Sequence, residues 1–158
     1  MLQLSTYFDY SFRVLMYAAL RSPDWVTVSE IAESFGISCH HLSKVVHHLG
    51  RSGYLETHRG IRGGFTLARL PEEIRLGDIL RIRKETSTVI ACVDKANRPC
   101  RILPVCRLKG MLNEAVAAFF EVMDRYTLAD LMKDASQVRT VLQAFELTPS
   151  CPLPSPLP

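Results

Sequence analysis

Three cysteines, Cys92, Cys100 and Cys106, stand in the stretch ACVDKANRPCRILPVCRLK at a spacing of C-x7-C-x5-C. An odd number cannot close entirely into disulfides within this segment, and there is no C-x-x-C pair of the kind that opens a zinc hairpin. Three thiolates at this spacing can wrap one metal centre, and thiolates select zinc, copper(I) or an iron–sulfur cluster. Lys95, Arg98, Arg101, Arg107 and Lys109 surround them against one acid, Asp94. Positive neighbours favour the thiolate form and offset the negative charge of a thiolate-bound cluster. Pro99 and Pro104 stiffen the loop beside two of the cysteines. The loop holds no fourth ligand of the usual kind, and no histidine follows His58. On the residues alone a structural zinc, an iron–sulfur cluster, a disulfide switch and three uncoordinated thiols all stay open.

A second concentration of chemistry lies between Gly36 and Arg69. Five cations (Lys44, Arg51, Arg59, Arg62, Arg69) face one acid there, Glu56, and all five histidines fall in the same span. A basic helix followed by a basic, glycine-rich turn is the electrostatic footprint of a duplex binder. Ser38, His40, His41, Lys44 and Arg51 are the candidates to face the major groove. Arg59, Gly60 and Arg62 are the candidates to reach phosphates or a minor groove. The histidine pairs 40/47 and 41/48 are seven residues apart, about 10.5 Å along a helix, too far to share one ion. They are expected to face DNA or solvent. Cys39 is expected to be a small buried or partly exposed side chain, not a ligand.

These groups need elements to position them. Phe8, Phe12, Leu15 and Ala19 recur at helical spacing over 5–20. Thr27 opens a T-x-x-E capping box with Glu30, so a second helix runs over about 28–35 and stops at Gly36. Ser38 is expected to cap a third helix over about 39–51, with Leu42, Val45, Val46 and Leu49 inward. Two short strands, 54–57 and 65–67, flank HRGIRGG as a wing. A short helix is expected over 77–83 and a long amphipathic one over 103–126. Its apolar stripe is Leu108, Met111, Leu112, Ala115, Phe119, Val122, Met123 and Tyr126. Short helices near 128–134 and 137–145 follow, then a proline-rich tail expected to be disordered, with Cys151 inert in it.

The fold class is thus mainly α with a small β-wing: a winged helix–turn–helix plus a long helix. Residues 1–83 form the DNA-binding domain (recognition helix about 38–51, wing about 54–68). Residues 84–102 form the cysteine loop, 103–147 the long and C-terminal helices, and 148–158 the tail. At 158 residues with 47% hydrophobic and 22% charged side chains, the composition is that of one globular domain. No apolar run approaches the length of a membrane span and no secretory signal is visible, so a cytoplasmic protein with reduced thiols is expected. No phosphate loop after a strand and no nucleophile–base signature is present, which argues against an enzyme.

The pattern L-x-x-x-x-D-Y-x-x-R near the start, FDYSFRVLMYAA (8–19), RGIRGGFTLAR (59–69), PVCRLKGML (104–112) and YTLADLM (126–132) resembles the Rrf family of bacterial iron–sulfur transcription regulators. The resemblance spans about residues 2–145 and is closest to the nitric-oxide-sensing repressors of that family. It implies a homodimer built on the 103–126 helix, a palindromic operator, and a cluster held by Cys92, Cys100 and Cys106. The 4Fe–4S form is expected ahead of 2Fe–2S. It also implies that Asp9, given by the partner subunit, is the fourth ligand. Cluster-biogenesis members carry a histidine three residues after the last cysteine, where this chain has Lys109. The first cysteine gap is longer than in the nitric-oxide sensors and is shared with iron-responsive members. An iron- or redox-responsive regulator is therefore the alternative, followed by a metal-free thiol switch.

Overall fold

The computed structural model describes residues 6–58, 60, 63–82 and 101–144. It is mainly helical with one two-stranded antiparallel sheet. By contacts it divides into two units, residues 1–74 with 128–158, and residues 75–127.

In the first unit α1 runs Thr6–Arg21. Phe8, Ser11, Val14, Leu15 and Ala18 form its buried face, while Phe12 and Ala19 are half-buried at the margin. α2 (Val28–Phe35) begins in a full capping box. The Thr27 hydroxyl accepts from the Glu30 amide at 3.2 Å, and the Glu30 carboxylate accepts from the Thr27 amide. It ends at Gly36, held at φ 62°, ψ 38°, the left-handed region that favours glycine. α3 (Cys39–Arg51) buries Leu42, Val45, Val46 and Leu49 as its spacing requires. Burying one such side chain stabilises by about 1.5–3 kcal/mol, so this stripe fixes which face of α3 points outward.

Ser38 does not cap α3 through its side chain. Its backbone carbonyl instead accepts from His41 and Leu42, both at 3.1 Å, and the hydroxyl is left at the surface. β1 (Leu55–His58) pairs with β2 (Gly64–Leu67) in the register Leu55↔Leu67 to His58↔Gly64. The wing gains one more rung, from a third segment, that its local sequence does not announce. Val26, just before α2, bridges Phe65, with amide–carbonyl bonds of 2.9 and 2.8 Å in both directions. A 3-10 turn, Pro71–Glu73, follows. α6 (Leu128–Leu131) and α7 (Ala135–Ala144) complete this unit. Leu128 is fully buried and its amide donates to Ile74; the Arg139 guanidinium caps the end of α1 by donating to the Leu20 carbonyl at 2.8 Å.

In the second unit α4 (Leu76–Arg81) lies against α5 (Arg107–Asp124). Arg81 grips Asp124 with two bonds of 2.5 and 2.7 Å and covers the Phe120 ring. The helix expected from 103 starts later, at Arg107. Leu103–Val105 forms a separate 3-10 turn, and the extended backbone of Cys106 (φ −78°, ψ 108°) resets the chain before α5. None of the 18 residues of α5 is buried within the chain, and Leu108, Met111 and Val122 on its apolar stripe are exposed. No helix among the described residues is long and apolar enough to cross a membrane.

Candidate nucleic-acid interface and metal ligands

With one face of α3 committed to the core, its other face presents His40, Lys44, His47 and Arg51, all exposed. Their offsets of four, three and four residues place them on one stripe of the helix. Ser38 lies exposed just ahead of it. His47, expected from sequence to face DNA or solvent but not placed among the major-groove candidates, is exposed on this same stripe. Ser43 is exposed too, with its hydroxyl donating to the Cys39 carbonyl at 2.8 Å. α3 carries no acid.

The other α3 histidines divide. His41 is exposed, its ring 6.0 Å from that of His40 and 6.4 Å from Tyr10. His48 is turned partly inward. It is half-buried and shares a 2.9 Å hydrogen bond between Nδ1 and the Tyr7 hydroxyl. Cys39 is half-buried and disulfide-bonded, not the reduced thiol expected from sequence.

At the wing, Gly60 is exposed with φ 129°. Gly63 closes the turn by donating to the Gly60 carbonyl at 2.8 Å, and a side chain there would meet the His58 and Gly60 carbonyls at 2.6 and 2.8 Å. The close backbone approach explains the glycine. Arg59 and Arg62 lie outside the described residues. Arg69, one of the five cations counted between Gly36 and Arg69, is engaged structurally: it stacks on Tyr54 at 4.7 Å and donates to the Gly53 carbonyl at 2.9 Å. Sequence reasoning also missed Trp25, which is 42% exposed with its ring 5.6 Å from that of His58.

Of the candidate metal ligands, Cys92 and Cys100 lie outside the described residues. Cys106 is a free, half-buried thiol at the N-cap of α5, followed by Arg107 and Lys109. Asp9 projects from the first turn of α1 with its side chain 48% exposed, in an ion pair with Arg13 at 2.9 Å. That pair joins neighbouring turns of one helix at the surface, a weak and exchangeable contact. As donors, a free thiol at a positive helix end and an accessible carboxylate suit a thiolate-held cluster with one oxygen ligand.

A family model described as Rrf2, iron-dependent transcriptional regulator, matches residues 4–134. The chain is 43% identical over 143 residues to the HTH-type transcriptional regulator NsrR of Geobacillus kaustophilus, covering 90% of this chain and 97% of that protein. It is 40% identical over 146 residues to the protein of the same name from Bacillus subtilis, covering 92% and 100%. Among solved structures it is similar to T. potens IscR, with a TM-score of 0.66 at 27% identity over 87% of this chain and 91% of that one. It is also similar to CymR, the global cysteine regulator of B. subtilis, with a TM-score of 0.62 at 28% identity over 87% and 98%.

Proposed function

The chain belongs to the Rrf2 family of iron-dependent transcriptional regulators, and from that premise we propose that it is a repressor that senses nitric oxide through an iron–sulfur cluster and then releases its operator. The observation that carries this reading is the exposed His40–Lys44–His47–Arg51 stripe, joined in one chain to the Cys92, Cys100 and Cys106 set. The identity with NsrR-named relatives supports the nitric-oxide assignment.

Ser38, His40, His41, Lys44 and Arg51 read the major groove, with His47 added to them. Gly60 lets the wing backbone approach the duplex, and Arg59 and Arg62 flank it. The exposed apolar stripe of α5 packs against a second copy, which hides Leu108, Met111 and Val122 from water. A dimer of this kind presents two α3 helices to half-sites about 34–36 Å apart on a palindromic operator. Residues 1–83 then act as the DNA-binding part, 84–102 as the cluster loop and 103–147 as the dimer-forming and C-terminal helices.

Cys92, Cys100 and Cys106 hold the cluster, in the 4Fe–4S form, and Asp9 of the partner subunit completes the ligand set. When bound there, the cluster would supply iron able to take up nitric oxide. A carboxylate is a hard donor beside three soft thiolates, so Asp9 is the ligand the protein gives up most readily. Arg13, one turn along α1, stands within reach to take the carboxylate back.

Protein purified without oxygen is expected to be brown and to contain iron and sulfide. Titration with nitric oxide should change its absorbance and release operator DNA in step. A brown protein indifferent to nitric oxide at low stoichiometry would move the assignment to iron sensing, which the long first cysteine gap favours. A colourless, iron-free protein would overturn the cluster reading and return the cysteines to zinc or thiol redox.

A further inference from the structure

The four residues Tyr7-Phe8-Asp9-Tyr10 send their side chains in separate directions. Phe8 is buried in the core and meets the Tyr7 ring edge-on at 5.6 Å. Asp9 points outward to Arg13. Tyr7 reaches His48 through the 2.9 Å hydrogen bond and an edge-on ring contact at 5.8 Å. Tyr10 reaches His41, ring to ring, at 6.4 Å. The residues on both sides of Asp9 therefore touch the recognition helix.

The spacing of those contacts matters. His41 and His48 are two turns apart on α3, about 10.5 Å along its axis. Two attachment points so far apart fix the tilt of a helix as well as its position. They also adjoin the outward stripe, because His41 follows His40 and His48 follows His47. On the α1 side, the Ser11 hydroxyl, fully buried, donates to the Tyr7 carbonyl at 2.8 Å and braces the turn that carries Tyr7. One helical turn moves as a body, so Asp9 cannot change partner and shift its backbone without shifting Tyr7 and Tyr10.

We propose that Tyr7 with His48, and Tyr10 with His41, are positioning residues that transmit the state of Asp9 to the DNA-reading face of α3. The inference rests on the reading above that Asp9 exchanges Arg13 for a ligand role. It assigns a route from that carboxylate to the recognition helix within one subunit.

A double-mutant cycle between Asp9→Asn and Tyr7→Phe tests it. Operator affinity is measured with and without the cluster, and iron and sulfide are assayed for every variant. Tyr7→Phe keeps the ring and removes the hydroxyl bonded to His48. It should retain wild-type iron and sulfide, yet shrink the affinity ratio between cluster-loaded and cluster-free protein by about 3- to 10-fold, the worth of one hydrogen bond. Asp9→Asn should then cost less in the Tyr7→Phe background than alone. His48→Asn keeps a hydrogen-bonding atom near the Nδ1 position and should preserve the ratio, whereas His48→Leu should lose it. Independently of DNA, backbone amides of α3 should exchange faster in cluster-free Tyr7→Phe than in cluster-free wild type.

Wild-type ratios in both folded Tyr7→Phe and folded His48→Leu would overturn the proposal. So would an Asp9→Asn effect of equal size in both backgrounds, which would leave the role of Asp9 standing. If Asp9→Asn changed neither cluster content nor operator affinity in the wild-type background, the Asp9 reading would fail, and the route with it.

Discussion

Replacing Gly64 by alanine tests how the wing is held. Gly64 lies in β2 opposite His58, and an added Cβ would sit 2.6 Å from the Val26 carbonyl oxygen and 3.2 Å from its carbon. The obstacle is backbone, and it cannot swing aside as a lysine tip could. Val26 is also fully buried, so the bridge must open to relieve the clash. Opening it removes the two Val26–Phe65 hydrogen bonds of 2.9 and 2.8 Å, together worth about 1–3 kcal/mol net. The alanine returns about 0.4–1 kcal/mol by restricting the unfolded chain. The expected net loss is about 1–2 kcal/mol, a fall in Tm of roughly 2–8 °C for a chain of this size. Urea unfolding followed by far-ultraviolet circular dichroism measures the stability, and operator titration measures whether a detached wing weakens binding. A variant as stable as the wild type, with unchanged operator affinity, would refute the claim that the Val26–Phe65 rung anchors the wing.

Three further outcomes are expected. Lys44→Ala should weaken operator binding and lower the slope of log K against log salt by about 1, one phosphate contact, as read by affinity at several salt concentrations. Thr27→Ala should destabilise the protein by about 1 kcal/mol in equilibrium unfolding, since it leaves the Glu30 amide without its capping hydroxyl. Asp124→Asn should lose stability at neutral pH but not in acid. The hydrogen bond from Arg81 holds the Asp124 carboxyl below the usual carboxylate range. A depressed folded pKa stabilises above the unfolded value and is lost as pH falls through the folded one, so the two stability curves should converge on the acid side. Denaturant midpoints across pH check this.

The parts of the fold legible in the sequence are those fixed by neighbours in the chain. The Thr27–Glu30 box, Gly36 and the Leu42–Leu49 stripe place α2 and α3, because capping, left-handed backbone and helical periodicity all act within a few residues. What was not legible depends on distant partners. The Val26–Phe65 rung joins residues far apart in sequence, and Val26, unlike Phe65, carries no local strand signal for it. Tyr7 and His48 are 41 residues apart, so His48 read as one more surface histidine. Arg69 counts in the sequence only as one more cation of the 36–69 span, because nothing local announces the Tyr54 ring beneath it. Ser38 has the right residue type for a side-chain cap, yet its backbone carbonyl takes the role. The late start of α5 was hidden by Pro104, which suits the first turn of a helix but here sits in the preceding 3-10 turn. Of the site, the outward face of α3 followed once its buried face was known. Asp9 had no signal in its own surroundings and was found only through the family resemblance.

Trp25 is the chain's sole tryptophan, and it stands at the wing with its indole half in water beside the His58 imidazole. All of the protein's indole emission therefore comes from the edge of the surface assigned to DNA. Docking of the wing excludes solvent from that ring and shifts its light to shorter wavelength, while the other aromatic residues contribute little under selective excitation. The molecule is in effect its own optical probe, and operator capture and release can be timed in unlabelled protein on a stopped-flow instrument.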